Sequence, residues 1–169
     1  MSKHEKEFGA THILHILHRA SQSADDLLAN RIAAFDLTPR QLTVLEAIQS
    51  DPDTSQTALV NRTGIDRSTL ADIVRRLVEA GFAERERMEH DARMYSVRLT
   101  ELGRATLAKV APIASRAGDE VLGAIPEAER LALLRGLQGI TDTLGPVASA
   151  RVSARAKSLQ PKPISPTAE

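Results

Sequence analysis

Cysteine is absent from the 169 residues. Disulfides, thiolate metal sites, a cysteine nucleophile and thiol-based oxidant sensing are therefore closed to this chain. Tryptophan is missing too, and one tyrosine with three phenylalanines supplies few of the stacking platforms that single-strand nucleic-acid binders use. Excess charge of either sign is lacking: 22 Lys+Arg stand against 22 Asp+Glu. An electrostatic footprint for an anionic partner must then come from segregation of charge to one face. Apolar runs stay far below the ~20 residues needed to span a bilayer, and the opening MSKHEKEF is charged where a signal peptide is apolar. The expectation is a cytoplasmic protein with no membrane partner.

What is present suffices for one compact domain: 42% of the residues are hydrophobic, and a chain of this length can bury a real core. Helical spacing predicts a first long helix from Lys6 to Ala34, with Ile13, Ile16, Leu17, Ala20, Ala24, Leu27 and Leu28 on one broad face. Thr38 and Pro39 announce a second helix, carrying Leu42, Leu45 and Ile48 and ended by Asp51-Pro52. Thr54 is read as the cap of a short third helix with Ala58, Leu59 and Val60, stopped at Gly64. Asp66 caps a fourth, with Leu70, Ile73, Val74 and Leu77 inward and Arg67, Ser68, Asp72, Arg75, Arg76 and Glu79 opposite. Gly81 closes it, where the chain needs a positive φ.

Two capped amphipathic helices around a glycine fit a helix-turn-helix, and equally a plain helical hairpin. The residues that follow favour the first. Phe82–Arg87 reads as a strand and Met94–Leu99 as a second, with Met94, Ser96 and Arg98 on one side and Tyr95, Val97 and Leu99 on the other. The polar stretch Met88–Arg93 makes the turn between them. A hairpin with a charged tip directly after a candidate recognition helix is a wing. Thr100 then caps a long helix through Leu107, Val110, Ile113 and Val121, which Pro112 is expected to kink or interrupt. Pro126 opens a last helix, striped by Leu131, Leu134, Leu137, Ile140 and Leu144 and stopped by Gly145-Pro146.

The expected organisation is a helical dimerisation region over 1–36 and 101–147, a winged helix-turn-helix over 37–100, and a flexible, basic, Pro-rich tail over 148–169. The long apolar faces at both ends call for a twin subunit, closed two-fold dimers being the commonest assembly. An intramolecular three-helix cluster is the alternative.

The wing Asp91-Ala92-Arg93-Met94-Tyr95-Ser96-Val97-Arg98-Leu99-Thr100-Glu101-Leu102-Gly103 resembles that of the multiple antibiotic resistance regulator (MarR) family, marked by Asp-x-Arg and then Leu-Thr-x-x-Gly. Leu77–Phe82 matches the end of that family's recognition helix, Leu37–Leu45 its second helix, and Pro126–Arg130 the opening of its final one. The resemblance spans residues 8–145. Glu84 and Glu86, where the family often has basic residues, and Pro112 depart from it. It implies a mainly α fold with a small β wing, a six-helix dimer, and double-stranded DNA as partner.

The fourth helix suits the major groove, with Arg67, Ser68 and Thr69 as candidate base contacts; Thr69 can equally face the protein. Arg75 and Arg76 lie where phosphates would be clamped, or pair with acidic neighbours. The helix starts at Thr54 and Asp66 offer backbone N–H groups to phosphate, although both side chains can equally serve only as caps. The resemblance implies that Arg93 enters the minor groove and that Asp91 holds the wing by a salt bridge. A guanidinium suits a narrow, negative groove. Arg85, Arg87 and His90 are further backbone-contact candidates. Between Arg62 and Arg104, nine arginines meet eight acidic residues, so any basic patch must be sorted onto one face.

His12, His15 and His18 step by three, which spreads them around a helix instead of onto one metal ion; no metal or cofactor is expected. The resemblance implies an effector pocket between the first, second and fifth helices, where His15, Arg19 or Arg40 would meet an anionic or aromatic ligand. The resulting expectation is a ligand-responsive repressor binding an inverted-repeat operator as a homodimer. An activator, or a winged protein-interaction module that reads no DNA, is the alternative. No nucleophile elbow, phosphate loop or metal-binding spacing supports an enzyme.

Overall fold

The computed structural model describes the backbone of residues 10–52, 54–88 and 91–158, and the side chains of 12–52, 54–86 and 95–145. Among the described residues six α-helices, α1 (Ala10–Ile32), α2 (Pro39–Ser50), α3 (Gln56–Thr63), α4 (Arg67–Glu79), α5 (Glu101–Gly123) and α6 (Glu127–Ser158), accompany three strands, β1 (Thr54–Ser55), β2 (Ala83–Met88) and β3 (Asp91–Leu99).

Helix α2 is the hub. Thr38 and Gln41 form a reciprocal capping box, Thr38 Oγ1 accepting from the Gln41 amide at 3.2 Å and Gln41 Oε1 from the Thr38 amide at 2.8 Å. Pro39 supplies a preset φ at the first helical position. Leu42, Val44, Leu45, Ala47 and Ile48 are all buried, so α2 has core on more than one side, packing against α3, α4, α5 and β3. Leu59, Leu70, Val74, Leu77, Val97, Leu99, Leu107 and Val110 complete the same cluster.

The sheet is antiparallel in the order β1-β3-β2. β3 pairs with β2 from Ala83↔Leu99 to Arg87↔Tyr95, and with β1 at Thr54↔Val97 and Ser55↔Ser96. A register shift follows Arg87, so that Met88 pairs with Asp91. The strands thus reach much further toward the tip than the sequence suggested: residues expected in the turn belong to β2 and β3, and only 89–90 separate them.

Three further expectations are corrected. Thr54 is not the cap of α3 but a buried strand residue; Ser55 is the cap, its Oγ accepting from the Ala58 amide at 3.2 Å. Pro112 does not interrupt α5, which runs unbroken through it. A proline removes one N–H from the helical ladder, here the bond to the carbonyl of Ala108, and both residues are exposed, so water can take that carbonyl. Nor do Gly145-Pro146 stop α6, which continues to Ser158 and makes 148–158 helical instead of tail; 159–169 lie outside the described residues. At the other end, the helical path from Ala10 finishes in a 3-10 turn, Ala33–Phe35, and Asp36 in the left-handed region at φ 54° turns the chain toward α2.

Helices α1 and α5 pack together, joined at the surface by Arg31 to Glu120 at 2.6 Å. By contrast Ile13, Leu14 and Ile16 of α1 and Leu131, Leu133, Leu134, Leu137, Ile140 and Leu144 of α6 are exposed. Among the described residues no helix is long and apolar enough to cross a membrane.

Candidate nucleic-acid interface

The turn between α3 and α4 is built by two residues. Gly64 takes φ 68° and closes α3, its amide donating to the Val60 carbonyl at 2.9 Å. Asp66 starts α4, its Oδ1 accepting from the Ser68 amide at 3.1 Å, the Ser68 hydroxyl at 2.6 Å and the Thr69 amide at 3.0 Å. Those hydrogen bonds, that of the Ser68 side chain foremost, hold the Asp66 carboxyl far below the ordinary aspartate range. At the start of α4 the Ser68 and Thr69 amides are satisfied by the Asp66 carboxylate, the capping role that the sequence allowed beside phosphate docking.

Leu70, Ile73, Val74 and Leu77 anchor one side of α4 in the core. The other side is exposed. Arg67 and Ser68 stand in solvent and Thr69 is half-buried. The Arg67 guanidinium donates to Thr57 Oγ1 of α3 at 3.3 Å, a neutral partner that leaves its charge intact. Arg75 and Arg76 are both exposed and both paired. Arg75 donates through Nη1 to both oxygens of Glu79, at 2.8 and 2.9 Å, and through Nη2 to Asp72, while Arg76 Nε donates to Asp72 at 2.9 Å. The hydrogen bond from Arg75 and the nearby guanidinium charges keep the Asp72 carboxyl below its usual range.

The end of α4 passes into the wing through a Schellman closure: the Gly81 amide donates to the Val78 carbonyl and the Phe82 amide to the Leu77 carbonyl, at 3.0 and 2.9 Å, with Gly81 at φ 76°. At the opposite root of the wing, Thr100 Oγ1 donates to the Gly81 carbonyl at 2.6 Å and accepts from the Gly103 amide at 3.0 Å. Arg104 adds a hydrogen bond to the Leu99 carbonyl at 2.7 Å. Recognition helix, wing and α5 are thus tied by backbone carbonyls, which fixes the wing root relative to α4. On one face of the sheet Arg98 forms an ion pair with Glu86, and Arg85, in register with Val97 and so on the other face, is exposed on β2. The side chains of Arg87, His90, Asp91 and Arg93 lie outside the described residues; by backbone Arg87 belongs to β2 and Asp91 and Arg93 to β3.

The three effector candidates divide between two helices. His15 and Arg19 share one exposed side of α1 by their i, i+4 spacing, and Arg40 is exposed in the first turn of α2. His12 and His18 are exposed on α1. Among the described residues no group of three histidine or carboxylate side chains gathers where a metal ion could sit. Sequence reading missed Thr57 as a partner of Arg67, and β1 altogether. A two-residue strand has no periodicity to detect.

A capped helix pair with a glycine turn, followed by a two-stranded wing whose sheet a short strand before the pair completes, and flanked by long helices, defines a winged helix-turn-helix protein of the type that regulates transcription. The MarR family model matches residues 35–94, and the transcriptional regulator HosA of Escherichia coli O127:H6 is 34% identical over 95 residues, which cover 56% of this chain and 70% of that protein. The chain belongs to the MarR family of DNA-binding transcriptional regulators. Among solved structures it is similar to Bordetella bronchiseptica BpsR, whose DNA binding is regulated by 6-hydroxynicotinic acid, with 29% identity and a TM-score of 0.72 over 76% of this chain and 91% of that one. It is also similar to the transcriptional repressor CouR bound to a 23-mer DNA duplex, with 28% identity and a TM-score of 0.71 over 83% of this chain and 98% of that one.

Proposed function

We propose that the protein is a homodimeric repressor that reads an inverted-repeat operator and releases it when a small anionic aromatic ligand binds. The observation that carries this is α4: one side is locked in the core by Leu70, Ile73, Val74 and Leu77, and the other presents Arg67 and Ser68 at its leading end. The major groove admits a helix so presented, and its base edges form a readable code. Arg67 is assigned to base edges, Ser68 and Thr69 to bases or phosphates, and Arg75, Arg76, Arg85, Arg87 and His90 to the backbone. Arg93, oriented by Asp91, enters the minor groove beside it. The repressor CouR on its duplex supports this reading.

The exposed apolar residues of α1 and α6 support pairing with a second copy, which assigns 1–36 and 101–147 to dimerisation and 37–100 to DNA. Two such reading heads take half-sites about one helical turn apart. The ligand-regulated relative BpsR supports effector control, with His15, Arg19 and Arg40 as the ligand contacts. To release DNA, the ligand must prefer the dimer state that does not bind it. The protein acts by binding, not by catalysis.

The test is titration of the purified protein against its own upstream intergenic DNA and an unrelated duplex at fixed salt, with Arg93→Ala alongside and 6-hydroxynicotinate as first ligand. Selective binding, weakened in the variant and released by ligand, is expected. Equal, weak binding to both duplexes, unchanged by the substitution, counts against wing readout and favours a protein-interaction module.

A further inference from the structure

The exposed side of α4 is charged in an uneven way. At its start Arg67 is bonded to a neutral hydroxyl. From Asp72 to Glu79 the two arginines are matched by two carboxylates that hold them, so the shaft of the helix carries no net charge.

Helix electrostatics account for only part of this. Asp72 precedes its arginines by three and four residues, the favourable order on a helix surface. Glu79 is the last residue of α4, at the negative end of the helix dipole, where a carboxylate is disfavoured. It follows Arg75 by four residues, the less favourable order, yet receives Arg75 Nη1 on both oxygens. The chain as a whole adds nothing to compensate, since its charges balance at 22 against 22.

A helix entering the major groove runs between two rows of phosphates. Unpaired arginines along its shaft attract any duplex, because counterion release on binding phosphate is blind to sequence. We propose that Asp72, assisted by Glu79, is a specificity-determining residue: it withholds Arg75 and Arg76 from phosphates on unrelated DNA. Only a site whose bases satisfy the Arg67 end holds the helix deep enough for phosphates to displace the carboxylates. This rests on the operator-binding reading above. It also accounts for a DNA-binding protein of zero formal charge, in which discrimination comes from suppressing the non-specific background.

The test uses the full-length protein, its operator and an unrelated duplex of equal length, with Asp72→Asn, Asp72→Glu and Glu79→Gln beside the wild type. Affinity is measured against salt concentration, and folding by thermal melting. Asp72→Asn is expected to bind the unrelated duplex more tightly at low salt. With a released arginine neutralising one more phosphate in each subunit, it should lose about ten-fold more of that affinity than wild type between roughly 50 and 200 mM salt. Its operator-to-unrelated ratio should fall by about the same factor, while Asp72→Glu keeps the wild-type ratio. Glu79→Gln moves in the same direction by less, and carries the test alone if Asp72→Asn does not fold. An Asp72→Asn protein that melts lower but keeps the wild-type salt slope and ratio overturns the inference, leaving Asp72 a helix-surface pair. So does a ratio that falls only through lost operator affinity, which makes Asp72 a base-reading residue. A wild type that binds no duplex overturns the operator reading itself, and this inference with it.

Discussion

The α carbon of Gly103 lies so close to the backbone of Phe82 that a Cβ there would stand 1.9 Å from the Phe82 carbonyl oxygen. That oxygen already accepts from the Thr100 amide at 3.1 Å, so it has little freedom to retreat. The glycine of the Leu-Thr-x-x-Gly stretch is therefore a contact surface: α5 begins flush against the turn that joins α4 to the wing.

Gly103→Ala should destabilise the protein by about 1–3 kcal/mol, the range for forcing extra atoms into a packed site. A chain of this size loses roughly 2–4 °C of Tm for each kcal/mol. A thermal melt within 1 °C or so of wild type, below the shift expected from a single kcal/mol, would mean that the strands part easily from α5.

Removing the α4 cap with Asp66→Ala should cost about 1 kcal/mol, and Asp66→Asn should recover most of it, since both side chains accept the same amides. The pH dependence has a definite sign. Folding depresses the Asp66 pKa, so its contribution is fully present above the unfolded pKa and is lost as pH falls through the folded one. Urea midpoints of wild type and Asp66→Ala should differ by a constant amount at neutral pH and converge only well below about pH 4. A gap that closes between neutrality and mild acid would show that Asp66 is not held as described.

The ion pair of Arg31 with Glu120 is short at 2.6 Å, but its side chains are 52% and 47% exposed. Such pairs contribute about 0–1 kcal/mol and are screened by salt. Arg31→Met should therefore lower stability by less than about 1 kcal/mol, with the difference shrinking in concentrated salt. A larger, salt-insensitive loss would point to the aliphatic stem of Arg31 as the part that matters.

Leu134→Asp places a charge on the exposed stripe of α6. On the proposed pairing it should shift the protein from dimer to monomer in light scattering after size exclusion, leaving the wing intact. An unchanged mass would move the subunit contact to another face.

The helical frame was legible in the sequence because its signals are local. Thr38, Asp66 and Thr100 cap as their residue types require, Gly64 and Gly81 adopt positive φ, and Leu42, Leu45 and Ile48 of α2 and the buried positions of α4 follow the apolar spacing, while the burial of Val44 and Ala47 on a second side of α2 was not legible from it. The misreadings have two causes, a distant partner in one case and the tolerance of a helix for a single lost bond in the other. Thr54 and Ser55 are both good caps, and only the pairing of Thr54 with Val97 assigns the role to Ser55. Prolines 112 and 146 carry the usual breaker signal, but one lost N–H does not end a helix whose other bonds persist. At the candidate site Arg67, Arg75 and Arg76 were found by residue type. What they hold is set by side chains one turn away or on another helix, and spacing alone left that open.

The leucines of α6 place a condition on abundance. Helices in proteins owe most of their stability to packing an apolar face, and among the described residues the stripe of this one from Leu131 to Leu144 stays exposed. On the proposed pairing, cover comes from mass action, which ties the folded fraction to protomer concentration. Synthesis rate and dilution by growth then become structural variables. On that reading the copy number of the chain decides how many operators are occupied and, beneath that, how much of each molecule is folded to its end.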